Sequence, residues 1–201
     1  MPTLPLPCLC LVTDRHQCEG RRLEDVVEAA VEGGANMVQL REKDLTAERL
    51  FTLARVMREL TRGKALLFIN GRLDVALACD ADGVQLGEEG LPVDAARRVA
   101  GERVLMGRSV HSVEGALEAE AKGANLLVVG TIFPTGSHSG SSPDGIGLLE
   151  QVSSRVHIPF LAIGGVTAKN VESVITAGAS GAAVITAITR SQDPARATRE
   201  L

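Results

Sequence analysis

The run Ala162-Ile163-Gly164-Gly165-Val166-Thr167 has the makings of an anion cradle. An apolar strand-like stretch ends in two glycines, which let backbone N–H groups come close to a phosphate. A helix predicted to begin near Thr167 would add the partial positive charge of its N-terminus. Some twenty residues on, Val184-Ile185-Thr186 ends a second apolar run, and its backbone amides with the Thr186 hydroxyl can complete the cradle. An ordinary turn with Thr167 as N-cap is the plainer reading of the same residues. The pairing of two such strand ends favours phosphate.

A second group of polar residues follows another apolar run. In Gln39-Leu40-Arg41-Glu42-Lys43 the alternation of a strand points Gln39, Arg41 and Lys43 together, and two cations with an amide suit a second anionic group or a heterocycle. Ile69-Asn70-Gly71-Arg72 ends a third run, with Asn70 able to donate to a ring nitrogen. His111 follows a fifth run in Gly107-Arg108-Ser109-Val110-His111-Ser112, where Ser112 is a predicted helix N-cap. His138 lies in the polar stretch Thr131–Gly147, rich in Gly, Ser and Pro and expected to act as a lid because it leaves the carboxyl end of a strand.

The elements that carry these residues alternate from one end of the chain to the other. Strands are predicted at Cys8–Thr13, Met37–Leu40, Ala65–Ile69, Gly83–Leu86, Val104–Gly107, Leu126–Val129, Pro159–Ile163 and Ala182–Ile185. They are apolar almost throughout, as parallel strands covered on both faces are. Between them Leu23, Val26, Val27, Ala30 and Val31 keep helical spacing, as do Leu50, Leu53, Ala54, Met57 and Leu60. Eight strand–helix units imply parallel pairing by crossover helices, and the fold class expected is α/β, a single (β/α)8 TIM barrel over residues 1–201. A weak repeat agrees: Ala35, Ala81, Ala124 and Ala179 each sit in a Gly/Asp-Ala-Asn/Asp/Ser turn before a strand, and each interval holds two units. In such barrels phosphate is frequently bound after strands seven and eight, where the two glycine- and threonine-ended runs fall.

Composition narrows the partners. Aromatics are 2% of the chain, with no Trp or Tyr, so the core is aliphatic and stacking on nucleic-acid bases is disfavoured. The net charge is −4 and no long basic run occurs, so neither nucleic acid nor a membrane surface is expected as a partner. No apolar run is long enough to span a bilayer, and the first residues lack a signal-peptide pattern. The four cysteines, Cys8, Cys10, Cys18 and Cys79, do not form a zinc motif and read as reduced structural thiols. A cytoplasmic protein is expected, and a homo-oligomer is left open.

Taken in order, Leu11–Asp14, Gln39–Lys43, Ile69-Asn70, Ala81–Gly87, Phe133-Pro134-Thr135, Ala162–Val166 and Val184–Thr186 make nearly the whole chain resemble the thiamin phosphate synthase and TenI superfamily. The resemblance implies a (β/α)8 barrel and a thiazole phosphate ligand. Its phosphate would lie at Gly164, Gly165, Ile185 and Thr186, with Gln39, Arg41, Lys43, Asn70, Ser109, Thr135 and Ser137 around the substrate. That superfamily holds two activities: a Mg2+-dependent coupling of a pyrimidine pyrophosphate to the thiazole phosphate, and a tautomerisation that aromatises a thiazole carboxylate phosphate. The two positions that match the synthase Mg2+ carboxylates are Gly71 and Gly90, with Glu88 and Glu89 nearby, and its loop lysine is replaced by His138. The tautomerase histidine is replaced by Thr131, while Asn70-Gly71-Arg72, Val84-Gln85-Leu86 and Gly107–Ser112 are TenI-like. The expectation is therefore a TenI-like, metal-independent tautomerase with His138 and His111 as proton-transfer groups. No cofactor is expected, Mg2+ entering only with the synthase alternative; a non-catalytic thiazole-phosphate binder is the third reading.

Overall fold

The computed structural model describes residues 3–135 and 143–201. Eight parallel strands pair in chain order: β1 (Cys8–Val12), β2 (Met37–Leu40), β3 (Leu66–Asn70), β4 (Gly83–Leu86), β5 (Leu105–Val110), β6 (Leu126–Val129), β7 (Phe160–Ile163) and β8 (Gly181–Val184). The circle closes where Cys8, Leu9, Cys10 and Leu11 of β1 pair with Gly181, Ala182, Ala183 and Val184 of β8. One helix follows each of the first seven strands: α1 (Leu23–Gly33), α2 (Ala47–Thr61), α3 (Leu73–Ala78), α4 (Val93–Ala100), α5 (Val113–Ala121), α6 (Ile146–Ser153) and α7 (Val171–Thr176). After β8 come a single turn, α8 (Thr186–Thr189), and α9 (Pro194–Arg199). The fold is the (β/α)8 barrel that the alternation predicts. Two boundaries differ from expectation. β5 continues to Val110 and so carries Arg108 and Ser109 on the strand, and α7 starts at Val171 rather than near Thr167.

The repeated small-residue turn has a definite structure. Gly34, Asp80, Gly123 and Gly178 all take positive φ, and the following alanines donate backwards: Ala35 to Ala30 O, Ala81 to Ala76 O, Ala124 to Ala119 O and Ala179 to Val174 O. This is the six-to-one bond that ends a helix in a left-handed residue. In three of the four turns the next side chain then reaches back to the strand before. Asn36 Oδ1 accepts from Leu9 N at 2.9 Å, Asp82 Oδ2 from Leu67 N at 2.7 Å and Asn125 Oδ1 from Met106 N at 2.9 Å. Each even-numbered strand among these is thus fastened at its start to its odd-numbered predecessor. Arg58 adds a bond to Asp82 Oδ2 and Arg97 one to Asn125 Oδ1, tying α2 and α4 to the same corners.

Strand residues of one parity face the helices and those of the other fill the barrel. The inner set includes Cys8, Cys10, Val12, Met37, Phe68, Leu105, Leu126, Val128, Leu161 and Ala183, all buried. Phe68 is the one aromatic of that set, and Gly83 makes room for it: a Cβ at position 83 would stand 2.4 Å from its ring. Gly83→Ala is expected to destabilise the protein by roughly 1–3 kcal/mol, the usual cost of overpacking. An unchanged urea-unfolding midpoint would contradict this packing. All four cysteines are free and buried, and burial pushes the Cys8 thiol up to about 12 and raises Cys10, Cys18 and Cys79 as well. Raised values leave the thiols protonated at pH 8, and the thiolate is the reactive form. A chromogenic disulfide reagent is expected to find no fast-reacting thiol until denaturant is added.

Candidate functional site at the carboxyl ends of the strands

Towards the carboxyl ends of β1, β2, β3 and β5 the inward parity changes from apolar or small to polar. Met37 is followed by Gln39, Arg41 and Lys43; Phe68 by Asn70; Gly107 by Ser109 and His111; Val12 by Asp14. The result is a cavity of about 500 Å³ above the packed interior. Its wall brings together Gln39, Arg41, Lys43, Asn70, Ser109, His111, Thr135, Gly164, Gly165, Ile185 and Thr186 of the residues singled out in the sequence. Ser137 and His138 lie outside the described residues, as does the centre of the segment expected to be a lid. The base of that segment is described. Asp144 N donates to Thr131 O at 2.7 Å and Gly145 N to Ile132 O at 3.2 Å, joining its two limbs.

The glycine corner is built against that base. Gly164 and Gly165 have φ of +96° and +64°. A Cβ on Gly164 would meet Thr131 Cγ2 at 2.7 Å, and one on Gly165 would meet Pro134 O at 2.6 Å. The glycines are therefore needed for close approach to the loop after β6 as well as for backbone freedom. Their carbonyls are committed: Gly164 O accepts from Phe133 N at 3.0 Å and Gly165 O from Asn170 Nδ2 at 3.0 Å. Both glycines line the cavity. The predicted helix start at Thr167 is replaced by a side-chain turn, in which Asn170 Oδ1 accepts from Thr167 N at 2.8 Å. Asn170 competes successfully for the turn, as short amide side chains do. The helix N-terminus on the wall is instead that of α8, which begins at Thr186 with Ala187 beside it. Amides of a first turn have no intrahelical acceptor and can face an anion.

Beyond β1, which separates β2 from β8, the Arg41 strand end is held by a buried carboxylate. Glu42, with a side chain 1% exposed, points away from Arg41 and Lys43. It accepts from Thr13 Oγ1 at 2.8 Å, from the Arg15 amide at 3.2 Å and from Arg15 Nη1 at 2.9 Å. Thr13 Oγ1 in turn accepts from Arg41 N at 2.9 Å. Arg15 also grips Asp44 through both nitrogens, which holds the Asp44 carboxyl well below the usual carboxylate range. Gln17, in the single 3-10 turn after β1, lines the cavity and accepts from Arg190 Nε at 2.8 Å. Arg21 donates to Thr189 O and Ser191 O, so the loop after β1 is fastened to the segment after β8. Asp14, Gln17, Glu42 and Asp144 were not among the residues picked from sequence. Parity could have found Glu42, since it falls on the buried face of an otherwise charged run.

His111 lines the cavity between two carboxylates, with Nδ1 3.6 Å from Asp144 Oδ2 and Nε2 4.0 Å from Glu88 Oε2. Glu88 is fixed through its backbone, since Arg108 Nη2 donates to Glu88 O at 2.7 Å and Arg108 Nη1 to Leu91 O at 3.2 Å. The acids on the cavity wall are Asp14 and Glu88. Glu89 does not line it. Gly71 and Gly90 bring no carboxylate, and a Cβ at Gly90 would already press on Gly87 O at 3.0 Å. Among the described residues no group of three or more His, Cys, Asp or Glu side chains is placed to share a metal ion. Mg2+ asks for one or two carboxylates beside substrate phosphates. The paired-carboxylate set of a Mg2+ coupling site is not what these residues provide. Among the described residues no helix is long and apolar enough to cross a membrane.

The TMP-TENI family model, described as thiamine monophosphate synthase, matches residues 9–188. A protein of Geobacter sulfurreducens named as a putative thiamine-phosphate synthase is 48% identical over 195 residues, covering 96% of this chain and 92% of its own. The thiamine-phosphate synthase of Haloarcula marismortui is 44% identical over 196 residues, covering 95% and 93%. Among solved structures, thiamine phosphate pyrophosphorylase from Pyrococcus furiosus superposes with a TM-score of 0.89 at 39% identity, over 96% of this chain and 93% of that one. A 3-hexulose-6-phosphate synthase, with a TM-score of 0.75 and 19% identity over 96% and 97%, shares the fold.

The Glu42 anchor gives the site its first test. Glu42→Ala leaves the Thr13 hydroxyl and the Arg15 amide without their acceptor, and is expected to destabilise by about 1–3 kcal/mol. Thermal unfolding of the variant beside wild type measures it. A loss within error of zero would mean that the buried carboxylate does not hold the Arg41 strand end.

Proposed function

Because this chain belongs to the TMP-TENI thiamine monophosphate synthase family, we propose that it is a transferase of thiamine biosynthesis, joining a hydroxymethylpyrimidine pyrophosphate to hydroxyethylthiazole phosphate. One observation carries the reading. The cavity wall carries Gly164, Gly165 and Thr186 at the ends of β7 and β8, and two cations, Arg41 and Lys43, after β2. A coupling that expels pyrophosphate develops negative charge on a leaving group, which paired cations stabilise, whereas tautomerisation expels no anion. The relatives' names support the same choice, and so favour coupling over the proton transfer expected from the sequence. Thr131 and the bracketed His111 give tautomerisation no comparable support.

In this reading the glycine and α8 amides hold the thiazole phosphate by its ester group. Arg41 and Lys43 face the pyrophosphate, with Gln39, Asn70 and Ser109 along the wall between. The bond between the pyrimidine methylene carbon and the pyrophosphate oxygen breaks, and the electron pair leaves with pyrophosphate. The thiazole nitrogen lone pair then forms the new bond to that carbon, and the products are thiamin phosphate and pyrophosphate. The charge that develops on the leaving group falls next to Arg41 and Lys43, whose positive charges stabilise it. Mg2+, where it accompanies the diphosphate, supplies further charge neutralisation; the carboxylates that would hold it to the protein are absent at Gly71 and Gly90, so no step is assigned to it.

Incubating the purified protein with both substrates and following thiamin phosphate by chromatography tests the proposal. Product formation is expected, with turnover about 10²-fold lower in Arg41→Ala and in Lys43→Ala, the usual cost of losing one charge-stabilising group. Absence of product, together with aromatisation of the thiazole carboxylate phosphate, would overturn it in favour of tautomerisation.

A further inference from the structure

Gln85 is a polar residue in a place where stability gives no reason for one. It lies on the inner face of β4, 1% exposed, directly across from Gly107 in the strand register. The glycine is required by it, since a Cβ at position 107 would stand 2.1 Å from Gln85 Oε1. The amide thus occupies the slot that a side chain on β5 would fill. Its Oε1 is buried without a hydrogen-bond partner. A buried acceptor left unmade is costly, and an apolar side chain of the same length would pack without that cost. What the amide does achieve is a single bond: Nε2 donates to Ser109 Oγ at 3.0 Å.

That bond decides the polarity of Ser109. A hydroxyl has one proton and two lone pairs, and it rotates to suit its partners. With one lone pair engaged from below by an N–H that can only donate, the Ser109 proton is left to point away from Gln85. Ser109 lines the cavity, so the proton is turned towards whatever acceptor binds there. We propose that Gln85 is a positioning residue, fixing the Ser109 hydroxyl as a hydrogen-bond donor to an anionic oxygen of the diphosphate-bearing substrate. The inference rests on the coupling reading of this cavity and deepens it. It also explains why two residues of no chemical function by themselves, Gly107 and Gln85, occur together. Gln85 touches no cavity space of its own and acts through Ser109 alone.

The test uses Gln85→Met, which keeps length and volume and removes the amide. Thermal unfolding is expected at or above the wild-type temperature, because the unpartnered Oε1 is gone. Coupling turnover is expected to fall about tenfold with little change in the KM for thiazole phosphate. The affinity for inorganic pyrophosphate, measured by calorimetry, is expected to fall several-fold. In a Ser109→Ala background the same substitution is expected to have no further effect on either reading. Equal losses from Gln85→Met with and without Ser109 would overturn the proposal, as would wild-type turnover and pyrophosphate affinity in the single variant. If the wild-type protein binds pyrophosphate but makes no thiamin phosphate, the coupling reading fails while the calorimetric arm still decides the role of Gln85. A wild-type protein that binds no pyrophosphate overturns the inference itself.

Discussion

Parallel strands lose their unpaired edges only when the last one meets the first, and every other feature of this molecule follows from that meeting of β8 with β1. Closure gives each strand an inside and an outside, so one parity of side chains faces helices and the other faces seven other strands. With an interior filled by Met37, Phe68, Leu126 and Leu161, the inward positions above the fill are left facing a cup. The seam is reinforced above the sheet as well. Arg21 holds Thr189 and Ser191 carbonyls, Arg190 holds Gln17, and α9 lies on α1 so tightly that a Cβ at Gly33 would overlap Ala195 O at 2.5 Å. One of the residues so tied, Gln17, belongs to the cavity wall, and another, Thr189, ends the turn α8 that starts on that wall with Thr186 and Ala187. Fold closure and site assembly are therefore carried by the same contacts.

The site itself is electrostatically lopsided in an informative way. Its cations, Arg41 and Lys43, stand on one strand end that is pinned from behind by the Glu42–Thr13–Arg15 network. Glu42 is a charge that serves the site without facing it, since it fixes the backbone that aims its neighbours. Gly71 and Gly90 leave the adjacent rim without the carboxylates that the resemblance would put there, while Glu88 stands by His111 and Asp144. The balance at the Arg41 side is thus towards positive charge, which suits an anionic leaving group met by side chains.

Much of this was legible in the sequence because it depends on periodicity. Eight apolar runs with helical spacing between them give the barrel, and strict alternation through Gln39, Arg41 and Lys43 puts three side chains on one wall. The turn repeat was visible too, though its chemistry was not: the Asn36, Asp82 and Asn125 clamps need a partner in the preceding strand that no local pattern reveals. The start of α7 was misplaced because Thr167 has the composition of an N-cap, yet Asn170 reaches its amide first. β5 outran its prediction because Arg108 and Ser109, polar in sequence, sit at the level where the barrel turns into the cup. Glu42, Gln85 and Asp144 were given no role at the site from sequence, for one common reason. Their partners, Thr13, Ser109 and His111, lie on other strands or loops, and only the closed circle brings them within reach.

The fit of Gly164 and Gly165 against Thr131 and Pro134 has a thermodynamic side. The glycine amides at the phosphate pole and the base of the segment after β6 share one contact surface, closer than any side chain would permit. Neither can shift without the other. An anion on the glycine amides biases the arrangement of that loop base only by its difference in affinity for the alternatives, and by reciprocity a change in the loop base alters the anion's affinity by the same factor.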